Sequence, residues 1–237
     1  MAYLHLNWLG QVEYDIVWEL QKEMVRQRQQ DNTVPDELLL CEHPPTYTLG
    51  RSGKLENLLI SNETLAQNAF TLRWVDRGGD ITYHGPGQLV GYPILNLKKL
   101  FARRGLLRPD LHQYLRELEE VIIQTLAHYD ITGWRYKGYT GVWVEADDGP
   151  RKIAAIGIKV SAGGISSHGF ALNVCPNLKH FSNIIPCGIK EFGVTSMSEI
   201  LQRPLATSDL LPPLQETFCA VFNYQPLTQS PLTKDKS

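Results

Sequence analysis

Two side chains in this sequence, the thiol of Cys187 and the amine of Lys152, have surroundings that suit nucleophilic and proton-transfer chemistry. Cys187 stands in the stretch IIPCGI, where Pro186 stiffens the approach and Gly188 leaves one side of the sulfur open to an electrophile. A nucleophilic thiol must lose its proton from a pKa of ~8.5, so it needs a base or a nearby cation.

The candidate bases closest to this thiol in the sequence are His168, His180 and Lys152. Lys152 opens the stretch KIAAIGIKV, which is apolar on both faces and therefore predicts a buried strand with the amine against the core. Burial lowers a lysine pKa from ~10.4, and Lys152 would then serve as a base or as the cationic partner of a thiolate. The residues alone leave two alternatives open, an inert loop cysteine and a lysine that snorkels from a strand end.

The other cysteines, Cys41, Cys175 and Cys219, are interpreted as small core residues. Cys41 lies in an apolar strand, Cys175 ends a strand beside a proline, and Cys219 shares a helical face with two phenylalanines. No C-x-x-C pair occurs, so the signatures of zinc binding and dithiol redox chemistry are missing from the sequence. In a reducing compartment all four thiols are expected to be free.

A second unusual stretch is RGGDITYHGPGQLVGYPILNL, residues 77–97, which contains five glycines. It has neither the P-loop pattern nor G-x-G-x-x-G, so it does not indicate ATP or a dinucleotide. Glycines at 78, 79, 85 and 87 predict backbone approached closely by a ligand, such as a tunnel for an extended apolar substrate with Tyr83 and His84 as walls. A plain cluster of turns is the alternative.

The pattern of apolar residues and turn signals predicts helices mixed with strands. Helices are expected over 12–30, after Ser61, from Asp110 to about Asp130, after Ser196 and from the prolines of LPPLQETFCAVFN. Strands are expected at 37–49, at 71–76, after residue 87, and in three successive stretches, TGVWVEA, KIAAIGIKV and GISSHGFALNV. Together they predict an α/β or α+β fold with a mixed β-sheet flanked by helices.

Composition limits the remaining function classes. With 237 residues and a net charge of -2, the chain fits one large domain with no general attraction to nucleic acid or an anionic membrane. The first residues lack a basic region followed by an apolar one, and no stretch has the ~18 apolar residues of a membrane span, so a cytosolic protein is expected. The polar tail, about 226–237, is expected to be disordered.

The stretches RGGDITYHGPGQLVGYPILNL, RKIAAIGIKV, SSHGFALNV and IIPCGI, in this order and spacing, resemble the lipoyl(octanoyl) transferases of lipoic acid biosynthesis. The similarity extends from about Glu42 to Leu201. It implies a single catalytic domain, residues 1–237, with the fold of biotin and lipoate protein ligases. It also implies that an octanoyl group passes from octanoyl-acyl carrier protein to a lysine of a lipoyl domain, in 2-oxoacid dehydrogenases and the glycine cleavage system, with no cofactor or metal.

The resemblance also implies roles for individual residues. Cys187 falls on the family's nucleophile and Lys152 on its lysine, so the thiol attacks the acyl thioester and the amine handles the proton. A backbone N–H at Gly188 or nearby would stabilise the oxyanion. The implied acyl pocket comprises three segments: Arg77, Gly78, Gly79, Asp80, Ile81, Thr82, Tyr83 and His84; Ala155, Ile156 and Gly157; Gly169, Phe170 and Ala171.

Other polar groups near these segments receive supporting roles. His84 and His168 are interpreted as orienting or structural residues, and Asp80 and Thr82 as loop-organising ones. The basic run KKLFARRG, residues 98–105, is either a docking surface for an acidic carrier protein or an ordinary solvated face.

Three other functions remain open from the sequence. An ATP-dependent lipoate or biotin ligase would share the fold but would not need the cysteine. A non-catalytic acyl-protein binding module would form no acyl adduct. A thiol hydrolase would release free octanoate without an acceptor domain.

Overall fold

A seven-stranded mixed sheet forms the centre of the molecule. The computed structural model of the chain describes residues 2–185 and 192–227. Cys187, with the rest of 186–191, and the tail 228–237 lie outside the described residues. Seven strands form the main sheet in the order β10-β1-β2-β6-β9-β8-β7; their bounds are β1 Tyr3–Gln11, β2 Asp36–Glu42, β6 Gln88–Ile94, β7 Val142–Ala146, β8 Gly149–Val160, β9 Ser166–Asn173 and β10 Gln225–Pro226.

Parallel and antiparallel pairs divide this sheet into two halves. β1 pairs in parallel with β2 and β10, whereas β2, β6, β9, β8 and β7 follow one another as antiparallel neighbours. The turn at 146–149 closes the β7–β8 hairpin that the cluster DDGP predicts. The mixed sheet expected from the sequence is confirmed.

A smaller sheet carries the glycine-rich stretch. It has the order β4-β3-β5, with β3 Thr46–Leu49, β4 Thr71–Trp74 and β5 Ile81–His84. Its core contains Tyr47, Leu49, Ile81 and Tyr83 and is covered by helix α2, Asn62–Gln67. Because β5 leads directly into β6, this sheet holds residues 77–84 beside the main sheet.

Helices cover both faces of the main sheet. One face packs on α4, Leu111–Ala127, and α6, Leu211–Phe222, and forms the largest apolar core. The other face packs on α1, Tyr14–Gln30, through a smaller core that includes Val17, Met24 and Val90. Two short helices complete the fold, α3, Leu97–Ala102, and α5, Met197–Leu201.

Local sequence signals located most element starts. The side chains of Ser61, Asp110 and Ser196 each accept a hydrogen bond from the third residue beyond them, which confirms the three predicted N-caps. The sequence interpretation missed β1, and Gln225 and Pro226 pair with β1 as β10 although the tail was expected to begin at about 226. In the described ranges, none of the helices combines the length and apolar character needed to cross a bilayer.

Candidate active site

A slot lies between the main sheet, the loop 77–79, strand β5 and helix α1. It encloses about 480 Å³ of space between atoms, including its open mouth. Its lining is Tyr14, Arg77, Gly78, Gly79, Thr82, His84, Val90, Tyr92, Ala155, Ile156, Gly157, His168, Gly169, Phe170 and Ala171. The exposed surface inside it is mainly apolar, as in pockets that hold small apolar ligands.

The three sequence segments expected to form a pocket therefore meet. Eleven of the fourteen predicted pocket residues line the slot, and Asp80, Ile81 and Tyr83 do not. Ile81 and Tyr83 point into the core of the small sheet, because side chains alternate along β5. Asp80 organises the loop, where it accepts hydrogen bonds from Lys54 N and from Asn57 Nδ2.

The slot is also lined by four residues that the sequence interpretation did not place there: Tyr14, Val90, Tyr92 and His168. Val90 and Tyr92 alternate along β6 toward helix α1. Period-two alternation within the strand predicted after residue 87 was the signal that could have identified them. Tyr14 comes from the start of α1, and no sequence motif links it to this site.

The buried guanidinium of Arg77 holds the loop that forms one wall. It donates to the carbonyl oxygens of Thr48, Gly78 and Asp80 at 2.7–2.9 Å, and to the Thr48 hydroxyl at 2.9 Å. Its five donors in a fixed plane suit such convergent bonding to backbone oxygens. The loop is thus a rigid part of the wall.

Two glycines allow the walls to approach. A β-carbon on Gly157 would lie 2.9 Å from the Gly78 carbonyl oxygen and 3.2 Å from Arg77 Cδ. A β-carbon on Gly169 would collide with the Gly91 carbonyl oxygen. Both glycines are therefore required where a second piece of backbone packs directly on the strand.

Lys152 stands at the opposite end of β8 from the loop, and a β-bulge sets its direction. Val142 pairs with Ala154 and Trp143 with Lys152, so Ile153 is an extra residue in β8. Ile153 and Ala154 both enter the core beneath the sheet, and Lys152 consequently shares the face of Trp143 and Ala155. Without the bulge, alternation would turn Lys152 toward the core under α4.

The Lys152 amine contacts polar and aromatic groups, so the expectation that it lies against the core is wrong. Nζ donates to the Thr140 carbonyl oxygen at 3.1 Å and lies 4.9 Å from the ring centroid of Trp143, within cation–π distance. The lysine is half-buried, and β8 begins three residues earlier, at Gly149.

Residues Gly193 and Thr195 lie beside Lys152. Lys152 N donates to the Gly193 carbonyl oxygen at 3.0 Å, and Thr195 N donates to the Lys152 carbonyl oxygen at 3.1 Å. Ile185 N donates to the Asn57 carbonyl oxygen at 2.8 Å. Residues 193 and 195, which follow Cys187 in the sequence, are thus hydrogen bonded to the strand that carries the predicted lysine.

A buried relay of hydrogen bonds joins the slot to Thr195. Gln88 donates to the Tyr83 carbonyl oxygen and to Asn173 Oδ1, so its own Oε1 is the acceptor for His84 Nδ1–H at 2.8 Å. Asn173 in turn donates to the Thr195 carbonyl oxygen at 3.0 Å. Burial lowers the pKa of His84 to about 3, so the ring is neutral and its Nδ1 proton is fixed by the relay.

A second histidine lies beneath the slot wall. His43 Nδ1 is 2.7 Å from the Val12 carbonyl oxygen and must carry the proton, which leaves Nε2 to accept from the Tyr92 hydroxyl at 2.7 Å. Burial lowers the pKa of His43 to about 4 and raises the pKa of Tyr14 and Tyr92. His43, Tyr14 and Tyr92 are therefore uncharged polar groups at or behind the slot wall.

His168 has an unusual backbone for a bulky residue in a strand. Its φ is 53°, in the left-handed region that costs a non-glycine residue about 1–3 kcal/mol. Alternation along β9 would put it on the face of Phe170 and Leu172, but its Nε2 instead donates to Asp76 Oδ1 at 2.7 Å. The hydrogen bond from His168 holds the pKa of Asp76 well below its usual range, and burial lowers the pKa of His168.

Three cysteines, Cys41, Cys175 and Cys219, lie within the described residues. Cys41 and Cys219 are buried, which confirms two of the three predicted core positions. Cys175 is exposed, so its prediction as a core residue is wrong: β9 ends at Asn173 and the chain turns outward after it. His180, one of the candidate bases, is hydrogen bonded to Tyr83 and packs on Phe70 outside the slot.

Several known proteins are similar to this chain in sequence. The model of the lipoyl protein ligase A/B catalytic domain family matches residues 13–219. The octanoyltransferase of Rubrobacter xylanophilus is 51% identical over 200 residues, which cover 83% of this chain and 84% of the relative. That of Chloroflexus aggregans is 42% identical over 227 residues, which cover 96% and 98%.

Solved structures with the same fold are far more distant in sequence. A bipartite lipoate protein ligase from Thermoplasma acidophilum has a TM-score of 0.66 at 13% identity, covering 96% of this chain and 88% of that one. A biotin protein ligase from Aquifex aeolicus, in complex with biotin and ATP, has a TM-score of 0.51 at 16% identity, covering 92% and 70%. The fold expected from the sequence is thereby confirmed, and the chain belongs to the lipoyl protein ligase A/B catalytic domain family and, within it, to the octanoyltransferases.

Proposed function

We propose that this protein transfers an octanoyl group from octanoyl-acyl carrier protein to the ε-amine of a lysine on a lipoyl domain, in the cytoplasm, through an acyl-enzyme on Cys187. The observation that carries the proposal is an apolar slot on the same face of β8 as Lys152. Lys152 is hydrogen bonded to residues 193 and 195, which follow Cys187 in the sequence. The identity of the transferred group, octanoyl, is inferred from the relatives that are named octanoyltransferases. The acceptors would be the lipoyl domains of 2-oxoacid dehydrogenases and of the glycine cleavage system.

The first half-reaction forms the acyl-enzyme. Lys152 takes the thiol proton of Cys187, and the thiolate sulfur attacks the carbonyl carbon of the octanoyl thioester. A new carbon–sulfur bond forms as the bond to the pantetheine sulfur of the carrier breaks. The Lys152 ammonium returns its proton to the departing thiolate. One thioester replaces another, so the step needs no ATP.

The second half-reaction forms the amide. The acceptor lysine, as a neutral amine, attacks the carbonyl carbon of the acyl-enzyme, and the Cys187 sulfur leaves as a thiolate. The proton that the nitrogen loses passes to Lys152 and from there to the Cys187 thiolate, which restores the thiol and the neutral amine. The amide is more stable than the thioester, and this difference drives transfer forward.

Contacts around Lys152 support its role. The Thr140 carbonyl oxygen and the Trp143 ring hold the amine, and the bulge at Ile153 keeps it on the slot face of the sheet. Arg77, Gly157 and Gly169 shape the walls around an acyl chain. His84 has an orienting role, because the relay through Gln88 links it to the segment at 195.

Intact-mass spectrometry after incubation with octanoyl-carrier tests the acyl-enzyme. The wild type should gain one octanoyl group, Cys187→Ala should gain none, and Lys152→Ala should gain it far more slowly. Cys175→Ala is the matched control, because it removes an exposed thiol away from the slot, and it should be acylated like the wild type.

Adding a lipoyl domain without ATP completes the test. The octanoyl group should move to the domain. Full activity of Cys187→Ser together with a requirement for ATP would establish a ligase instead. No adduct on the wild type would favour a binding module, and free octanoate without an acceptor would favour a hydrolase.

A further inference from the structure

A second cavity lies directly behind the slot. It encloses about 620 Å³ between atoms, including its opening, and its lining is Trp18, Gln21, Lys22, Val25, Gln29, Asp76, Lys159, Ser161, Ser167 and His168. This space is called the rear cavity below. Within the described ranges, His168 is the one residue that lines both the slot and the rear cavity.

The rear cavity continues the slot along the same elements. On α1 the lining passes from Tyr14 to Trp18 and Gln21, one turn after another, and on β8 it passes from Gly157 to Lys159, two residues along one face. On β9, Gly169 lines the slot and Ser167 lines the rear cavity. In the loop, Arg77 lines the slot and Asp76 lines the rear cavity. The two spaces are therefore collinear, with Lys152 beyond the far end of the slot.

His168 is held rigidly across this line. Its side chain is 2% exposed, its Nε2 is bonded to Asp76, and its backbone N–H donates to Gln21 Oε1 at 2.8 Å. Asp76 is itself paired with Lys159. The left-handed backbone at 168 turns the ring away from the face that alternation would give it and toward α1. The ring is thus fixed by Asp76 and its backbone by Gln21, and the residue forms a partition between the two spaces.

We infer that His168 is the end wall of the acyl slot and the residue that limits the length of the acyl chain, a specificity role that rests on the proposed octanoyl transfer. Ala155 is the slot residue of β8 nearest Lys152 in the sequence, and the proposal places the acyl carbonyl beside it. His168 pairs with Ile158 on β8, three residue steps beyond Ala155, or about 10 Å at strand spacing. An octanoyl chain has seven carbon–carbon bonds of about 1.5 Å, so its length is at most about 11 Å. A dodecanoyl chain would meet the ring.

Removing the ring should join the slot to the rear cavity. His168→Gly does this while retaining a residue that adopts positive φ without strain. The measurement is the ratio of acylation rates with dodecanoyl-carrier and octanoyl-carrier, followed by intact mass. The ratio should rise at least tenfold over the wild type, because the added methylenes can enter beside Trp18 and Val25. His168→Asn, which also tolerates the left-handed backbone, is the second variant if the glycine variant does not fold.

Filling the rear cavity provides the control. Val25→Phe adds a ring to that cavity alone, so by itself it should leave the ratio unchanged, and combined with His168→Gly it should reverse the gain. If His168 only stabilised the fold, its removal would slow acylation by both carriers equally. The ratio of rates would then stay at the wild-type value, which would overturn the inference. A gain that persists in the double variant would also overturn it. Absence of any octanoyl adduct on the wild type would instead refute the proposed function, and this inference with it.

Discussion

Gly157→Ala tests the width of the slot through one added methyl group. The new β-carbon would lie 2.9 Å from the Gly78 carbonyl oxygen, whereas carbon–oxygen contacts normally begin at about 3.3 Å, so the loop must retreat by about 0.4 Å. Retreat is resisted, because Gly78 N donates to the Ile158 carbonyl oxygen at 2.9 Å and Arg77 fixes the loop. Overpacking of this kind should lower the free energy of unfolding by about 1–3 kcal/mol.

The effect on catalysis should depend on chain length. The displaced loop wall costs the acyl chain contacts equivalent to about one methylene, worth about 0.8 kcal/mol or roughly a fourfold loss in kcat/KM for an octanoyl donor. A butanoyl chain, with three carbon–carbon bonds and at most about 5 Å, ends before Gly157 and should change less than twofold. Urea unfolding and steady-state rates with both carriers provide the measurements. Equal losses for the two chains, or no loss for either, would refute the reasoning.

Two further predictions concern stability. His43 is buried and its pKa is lowered to about 4, so the unfolded chain binds its proton more readily and the free energy of unfolding should fall as the pH drops from about 6.5 toward 4. In His43→Gln this part of the pH dependence should be reduced in urea titrations at several pH values, and an unchanged slope would contradict the assignment. Arg77→Lys should lower the free energy of unfolding by about 2–4 kcal/mol, because an ammonium group cannot make the convergent bonds of the guanidinium; thermal and urea denaturation would show it, and a loss below about 0.5 kcal/mol would mean that the loop is held by other contacts.

Sequence patterns identified most of the fold because local rules applied at those positions. The caps at Ser61, Asp110 and Ser196 form within one turn of helix, and the alternation of β8 and β9 is visible in residues two apart. β1 was missed because it runs along β2 only after the chain has passed through α1, so its pairing is not a local property.

The site was less predictable where backbone irregularity decides the direction of a side chain. Simple alternation gives the wrong face for both Lys152 and His168, since one is next to a bulge and the other has positive φ. Of the four glycines expected to line a tunnel, Gly78 and Gly79 line the slot, whereas Gly85 packs on Tyr83 and Gly87 on the Cys175 carbonyl group. Tyr83, expected as a wall, was misplaced because its neighbours Thr82 and His84 face the slot and alternation sends it the other way.

The bonds between Lys152 and residues 193 and 195 also have a consequence for how the enzyme acquires its activity. The contacts that complete the site, from Lys152 to Gly193 and from Gln88 to Asn173, join parts of the chain that are remote in sequence. Such contacts have high contact order and form with the last cooperative stage of folding rather than within one hairpin or helix. Recovery of activity during refolding should therefore follow the global transition, and a nascent chain that has not yet emerged beyond residue 195 should hold its slot segments without a functioning reaction centre.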